Sequence, residues 1–188
     1  ESMVEARYPN MGSSMLDIMN YNRAIAQNGT NSTTIMMGEE ISGDLTNARV
    51  VVWPGDNGLS AWVAFTTTVR IHNGKTLRLR DKLDTEETVI GSNAYSPVPG
   101  NVYYITGSLA LLDAPGEYYY DEVARKMYFY APNGDSPQNY IITVRGESST
   151  VVFADNREYI HIRGLDFYGG GLSFKNSNNC IIEGNTVR

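Results

Sequence analysis

Residues 149–188 contain an internal repeat, and no other feature of the sequence restricts the fold as tightly. Set "VVFADNREYIHIRGLDF" (residues 151–167) against "LSFKNSNNCIIEGNTV" (172–187). Phe153 falls on Phe174, Asp155 on Asn176, Ile160 on Ile181, and Gly164 on Gly184 after a one-residue slip. The period is 20–21 residues. Each unit has two short apolar stretches, a bend rich in Asn and Asp, and a glycine corner. A unit this small cannot bury its own apolar face, so it must stack on copies of itself. That pattern predicts the first coils of a parallel β-helix over 149–188. Asn176, Asn178, Asn179 and Asn185 fit its corners, because Asn tolerates the left-handed backbone and can hydrogen-bond from coil to coil. A β-helix end left open is an uncovered core with exposed strand edges, so the chain is expected to be a fragment of a longer protein.

The preceding residues follow a different pattern. "ARVVVW", "WVAFTTTVRIH", "KTLRLRD", "NVYYITGSLALL", "EYYYD", "KMYFYAP" and "NYIITVRG" are short, rich in β-branched and aromatic residues, and separated by turn signals such as Asn73-Gly74. Tyrosine (13) and glycine (18) are abundant. This reads as a β-sandwich over 45–148. Ahead of it, 1–44 holds one strand of the β-helix ("VEARYPN"), then a short helix or ordered loop in "SSMLDIMNYNRAIAQ", then a polar linker. The fold class is all-β, a β-sandwich plus a partial right-handed parallel β-helix.

Charge narrows the partners. The formal net charge is -6, and no Lys/Arg run is present, which argues against nucleic acid and anionic membranes. No apolar run approaches the ~20 residues that span a bilayer. Cys180 is the sole cysteine; it is expected to be a buried small hydrophobe, with neither a disulfide nor a zinc site. His72 and His161, the two histidines, lack ligand-spaced partners. No Asp-x-Asp-x-Asp array supports calcium. Neither a metal nor a cofactor is expected.

Four stretches occur in order: "ARYPN" (6–10), "ARVVVWPG" (48–55), "GSLALLDAPGEYYYDEVARKMYFYAP" (107–132) and "YIHIRGLDFYGG" (159–170). Together they make the chain resemble the N-terminal region of large secreted bacterial right-handed parallel β-helix proteins of the pectate-lyase-like kind. These include β-xylosidase-like and pectin-degrading glycoside hydrolases and related polysaccharide lyases. Where that family has Trp in "PGEW", this chain has Tyr118. The resemblance implies a β-sandwich inserted between the first helix coils, and a parent protein that degrades polysaccharide outside the cell, in the periplasm or at the cell surface. It also implies that the catalytic carboxylates lie on later coils, so no catalytic residue is assigned here.

Three readings of function follow. In the first, the sandwich binds a polysaccharide or oligosaccharide through flat aromatic platforms, with Trp53, Trp62, Tyr119, Tyr128 and Tyr130 as the stacking residues. In the second, the sandwich is a structural cap on the β-helix, and the remaining coils of the parent chain are its partner. In the third, Asp113 and Glu117, on either side of Ala114-Pro115-Gly116, act as the carboxylate pair of a glycoside hydrolase. An Asp before a turn more often accepts backbone N–H bonds. Asp166 and Glu183 are the other carboxylates placed at the start of an expected cleft.

Overall fold

A computed structural model describes residues 3–12, 22–54, 64–81, 83, 96–144, 150–167 and 169–187. Trp62 and most of the expected helix lie outside the described residues. Among the described residues the chain is all-β. Its helical geometry is limited to two 3-10 turns, Leu109–Leu111 and Pro137–Asn139. It divides into two compact units, Glu1–Asn139 and Tyr140–Arg188.

The described residues of unit 1 form ten strands: β1 (Val4–Glu5), β2 (Arg7–Tyr8), β3 (Ala24–Ile25), β4 (Thr34–Met36), β5 (Arg49–Trp53), β6 (Phe65–Asn73), β7 (Thr76–Leu79), β8 (Val102–Thr106), β9 (Glu117–Asp121) and β10 (Lys126–Phe129). Seven of them form one sheet in the order β2-β8-β5-β6-β7-β4, with β3 also on β8; a second sheet runs β1-β9-β10. Ile25, expected in a short helix or ordered loop, sits instead in β3 opposite Val102, because tertiary pairing outweighs a loose apolar spacing.

Strand alternation sorts the seven-stranded sheet into two faces. Val50, Val52, Tyr103, Ile105, Val69 and Leu77 point to one face and are fully buried. A buried side chain of this size stabilises by roughly 1.5–3 kcal/mol. Arg49, Val51, Trp53, Thr66, Thr68 and Tyr104 point to the other, since paired residues share a face. β6 carries a bulge between Val69 and Ile71, where Arg70 and Ile71 are both exposed. The β6–β7 hairpin forms where Asn73-Gly74 places it, but one residue later. Asn73 stays in the ladder opposite Thr76, and Gly74 takes the left-handed corner at φ 56°.

Unit 2 holds β11 (Thr150–Asp155), β12 (His161–Arg163), β13 (Asp166–Phe167), β14 (Gly171–Lys175), β15 (Ile181–Glu183) and β16 (Thr186–Val187). They pair in parallel as β11·β14, β12·β15 and β13·β16. Ile162 lies opposite Ile182 and Phe167 opposite Val187, an offset of 20 residues. The left-handed corners recur at the same offset, at Asn156 and Asn176, Tyr159 and Asn179, and Gly164 and Gly184. The offset of 20 corrects part of the repeat alignment. Phe153 pairs with Ser173 and Ala154 with Phe174. A one-residue slip reverses the face, so Phe153 is 61% exposed while Ala154 is buried.

The asparagines split into two roles. Asn176 and Asn179 take left-handed corners. Asn185 joins the two passes of chain, accepting from the Leu165 N–H and donating to the Ile162 carbonyl, both at 2.9 Å. Cys180 is only half-buried, with Sγ 3.4 Å from the Asn178 carbonyl. The expectation of a buried thiol fails because few side chains of unit 2 are covered.

Among the described glycines of unit 1, Gly43 stands closest to a neighbouring side chain. Its φ is +100°, and a Cβ there would stand 2.7 Å from the Ala110 Cβ. Gly100, at φ +93°, has open space around it. Gly43→Ala is therefore expected to lose roughly 1–3 kcal/mol to backbone strain plus roughly 1–3 kcal/mol to overpacking. Gly100→Ala should lose the strain alone. Urea unfolding should rank the midpoints wild type, Gly100→Ala, Gly43→Ala; equal midpoints for the two variants would show that the approach of 43 to 110 is not tight.

Candidate functional site

The stretch "EYYYDEVARKMYFY" folds as the β9–β10 hairpin. Lys126 pairs with Asp121 and belongs to β10, so the loop is 122–125 rather than 122–126. The Asp121 side chain closes it by accepting from the Val123 and Ala124 N–H groups at 3.0 and 2.8 Å. Arg125 takes φ 52°. The register sets Tyr119 opposite Tyr128. Their rings stack with centroids 6.2 Å apart and planes 30° from parallel. Tyr130 extends the same face, 39% exposed, and the hairpin ladder continues past it as Tyr130 N–H donates to the Glu117 carbonyl at 2.9 Å. Tyr119 packs one edge on the core of unit 1. Partial burial, and then the nearby Asp121 carboxylate, raise its phenol pKa. The result is a row of three tyrosines that is anchored at Tyr119 and open to solvent at Tyr130.

Trp53 is placed differently. It lies on the outer face of the seven-stranded sheet, half-buried, 5.7 Å from Tyr104 between ring centroids. The Arg23 guanidinium covers its ring at 4.4 Å, and Arg7 covers Tyr104 at 4.2 Å. These contacts form a chain of cation–π pairs, each contributing about 0.5–1 kcal/mol or more as it is desolvated. One face of the indole is thus occupied by Arg23. Reading the sequence did not identify the two arginines. Their signal was present in the alternation Arg7/Tyr8 and Arg23/Ala24, which puts each arginine on the face opposite a neighbour that packs on the core.

Asp113 and Glu117 are brought together, but not as an open pair. Glu117 is 2% exposed. Its Oε2 accepts from the Ala114 N–H at 3.2 Å and the Asp113 N–H at 3.4 Å, closing the turn that leads into β9, while Oε1 is buried and the Arg7 backbone N–H also faces the carboxyl. Burial raises the Glu117 pKa, and the backbone N–H groups of Ala114 and Asp113 oppose that rise. A carboxyl sealed in this way cannot reach a glycosidic oxygen.

In unit 2, His161 and Glu183 meet at 3.1 Å with Arg163 3.6 Å from the same oxygen, all exposed. Parallel pairing brings them together from 20 or so residues apart, a juxtaposition that is invisible along the chain. His72 is structural: Nε2 lies 2.9 Å from the Gly74 carbonyl, and Nδ1 lies 3.4 Å from the Leu45 backbone nitrogen. Asp166 is exposed at the start of β13. Among the described residues, no group of three or more His, Cys, Asp or Glu is arranged to hold a metal ion, and no helix is long and apolar enough to cross a membrane.

A scan of the sequence against protein-family models finds no match, and a search of curated proteins finds none. Among solved structures, a chain titled "Glycoside hydrolase" is similar in fold, with a TM-score of 0.51 at 17% identity. The match covers 89% of this chain and 30% of that one, so this chain spans less than a third of the length of its structural neighbour. At that identity the likeness is one of fold.

The buried Glu117 gives a pH prediction. Its folded pKa lies above the ordinary 4.5. Its contribution to stability is therefore complete below the unfolded pKa and is lost as pH rises through the folded one. Glu117→Gln keeps the acceptor for the turn and removes this loss. Urea unfolding at pH 4 and pH 7 should show the variant gaining on wild type as pH rises. A difference between the two proteins that does not change with pH would contradict the burial of an ionisable group there.

Proposed function

We propose that this chain is a non-catalytic part of a secreted, carbohydrate-active protein, and that unit 1 binds a polysaccharide through the hairpin tyrosines. The observation that carries this reading is the row Tyr119, Tyr128, Tyr130, rigid where it meets the core and open at its far end. Sugar rings present flat C–H faces, and a half-buried tyrosine offers a matching apolar face with a hydroxyl at its wet edge. The fold shared with a chain titled "Glycoside hydrolase" supports a carbohydrate context. Trp53 is a weaker platform, because Arg23 already covers one of its faces.

In this proposal unit 1 is a β-sandwich and unit 2 is the start of a right-handed parallel β-helix. Three features of unit 2 support the second part: its three parallel pairs, the constant offset, and the recurrent left-handed corners. Ile181, Ile182 and Val187 stay about half exposed, and further coils of a longer protein would cover them. The catalytic carboxylates of the parent would stand on such coils. A purely structural cap is the second reading, favoured by the packing of Tyr119 on the core. Hydrolysis by Asp113 and Glu117 is disfavoured by the burial of Glu117.

Affinity electrophoresis through gels containing xylan, pectin, alginate or neutral dextran tests the proposal. Retardation by one glycan is expected. Tyr128→Ala/Tyr130→Ala should abolish it while the fold survives with a urea midpoint only modestly lowered, since the lost Tyr119–Tyr128 pair is worth about 0.2–1 kcal/mol, and Tyr128→Phe/Tyr130→Phe should keep most of it, since the ring faces remain. No retardation on any gel, or full retardation of the double alanine variant, would leave the cap as the reading that stands.

A further inference from the structure

The chain is acidic as a whole, yet one face of unit 1 is basic. Strand alternation puts Arg23, Arg49 and Arg78 on the outer face of the seven-stranded sheet, with Arg80 just beyond the end of β7 and Arg70 at the β6 bulge. The outer-face positions of β4 to β8 hold threonines, aromatics and apolar residues between the arginines, and none holds Asp or Glu. Among the described residues, the Glu5 carboxylate reaches this face and takes the Arg49 guanidinium at 2.6 Å.

The arginines stand in an ordered array. Thr68 lies opposite Arg49, and its hydroxyl accepts from Arg80 Nε at 2.9 Å. Arg80 Nη2 donates to the Asn47 side chain at 2.9 Å, which fixes the guanidinium further. Arg49 and Arg80 therefore flank β6 about 10 Å apart, and Arg78 follows Arg80 on the same side of β7 by about 7 Å. Arg70 and Arg78 are exposed. No Lys/Arg run exists because alternation spaces the charges along each strand, and the sheet then gathers them.

We infer that this face binds a polyanionic glycan, one bearing carboxylate or sulfate groups at regular spacing. The inference rests on the carbohydrate reading above and narrows its ligand class. Guanidinium groups match both anions with paired N–H donors, and threonine hydroxyls add neutral donors between them. A net charge of -6 repels a polyanion at a distance. At physiological salt that repulsion is screened beyond about 8 Å, so the local array decides contact. Duplex DNA presents the same sign of charge, but it is disfavoured by a chain with no basic arm and an acidic total.

Binding of the 188-residue chain to dextran sulfate, polygalacturonate, neutral dextran and duplex DNA tests the inference. The variants are Arg70→Glu/Arg78→Glu and, as a control of equal charge change on unit 2, Arg157→Glu/Lys175→Glu, both exposed. Binding to one or both charged glycans is expected, and the preferred one identifies the anion. The first variant should weaken it about tenfold or more, and the control less than about threefold. Equal losses from both variants, no binding to either charged glycan, or tighter binding to DNA would overturn the inference. Retention of neutral-glycan binding that depends on Tyr128 and Tyr130 would leave the broader carbohydrate reading intact while this one fails.

Discussion

Unit 1 depends on a single crossing of the chain, from Val4 to Tyr8. These residues run from the three-stranded sheet into the seven-stranded one. Val4 and Ala6 donate to the carbonyls of Gly116 and Tyr118 at 3.0 and 2.7 Å. At the next residue, Arg7, the strand has joined β8, and the Thr106 hydroxyl donates back to the Ala6 carbonyl at 3.0 Å. Ala6 is fully buried at the junction, where a larger side chain would force the sheets apart. The crossing also sets the flanking charges. Glu5 emerges beside Arg49, Arg7 lies over Tyr104, and the Tyr8 hydroxyl reaches Glu39 at 2.6 Å. Burial, reinforced by that bond to the carboxylate, pushes the Tyr8 phenol up to about 12.

The period of two along each strand does the rest. In "RVVVW" it sends Val50 and Val52 into the core while Arg49 and Trp53 go outward. In "TLRL" it buries Leu77 and Leu79 and exposes Arg78. One rule thus makes both the core that holds unit 1 together and the two surfaces proposed to meet a ligand. The hairpin tyrosines and the arginine array lie on strands already fixed by packing, so neither surface requires ordering on binding, which limits the entropic cost of contact.

How much of this was legible in the sequence depends on the range of the interaction. Local signals served well: the Asn73-Gly74 turn, the alternating strands and the Tyr128/Tyr130 face follow from neighbouring residues, and the repeat in 151–187 from self-similarity along the chain. Offsets of one residue did not. The turn lies at Gly74-Lys75, and Phe153 lies opposite Ser173, because register is set by the partner strand and by which residue takes the left-handed corner. Long-range juxtapositions were least visible. Arg80 with Thr68 and Asn47, His161 with Glu183, and Arg23 over Trp53 arise only when distant strands are placed side by side. The sealing of Glu117 was hidden for a related reason, since its burial comes from elements far from the turn it closes.

The measurement that tests the account most directly is an NMR titration of the isotopically labelled chain with oligosaccharides cut from whichever polysaccharide it binds. The account predicts that the shifted resonances cluster in unit 1, on the Tyr119, Tyr128 and Tyr130 row and on the outer strand face around Arg78 and Arg80, with unit 2 unchanged. Shifts confined to unit 2, or none at saturating sugar, would contradict it.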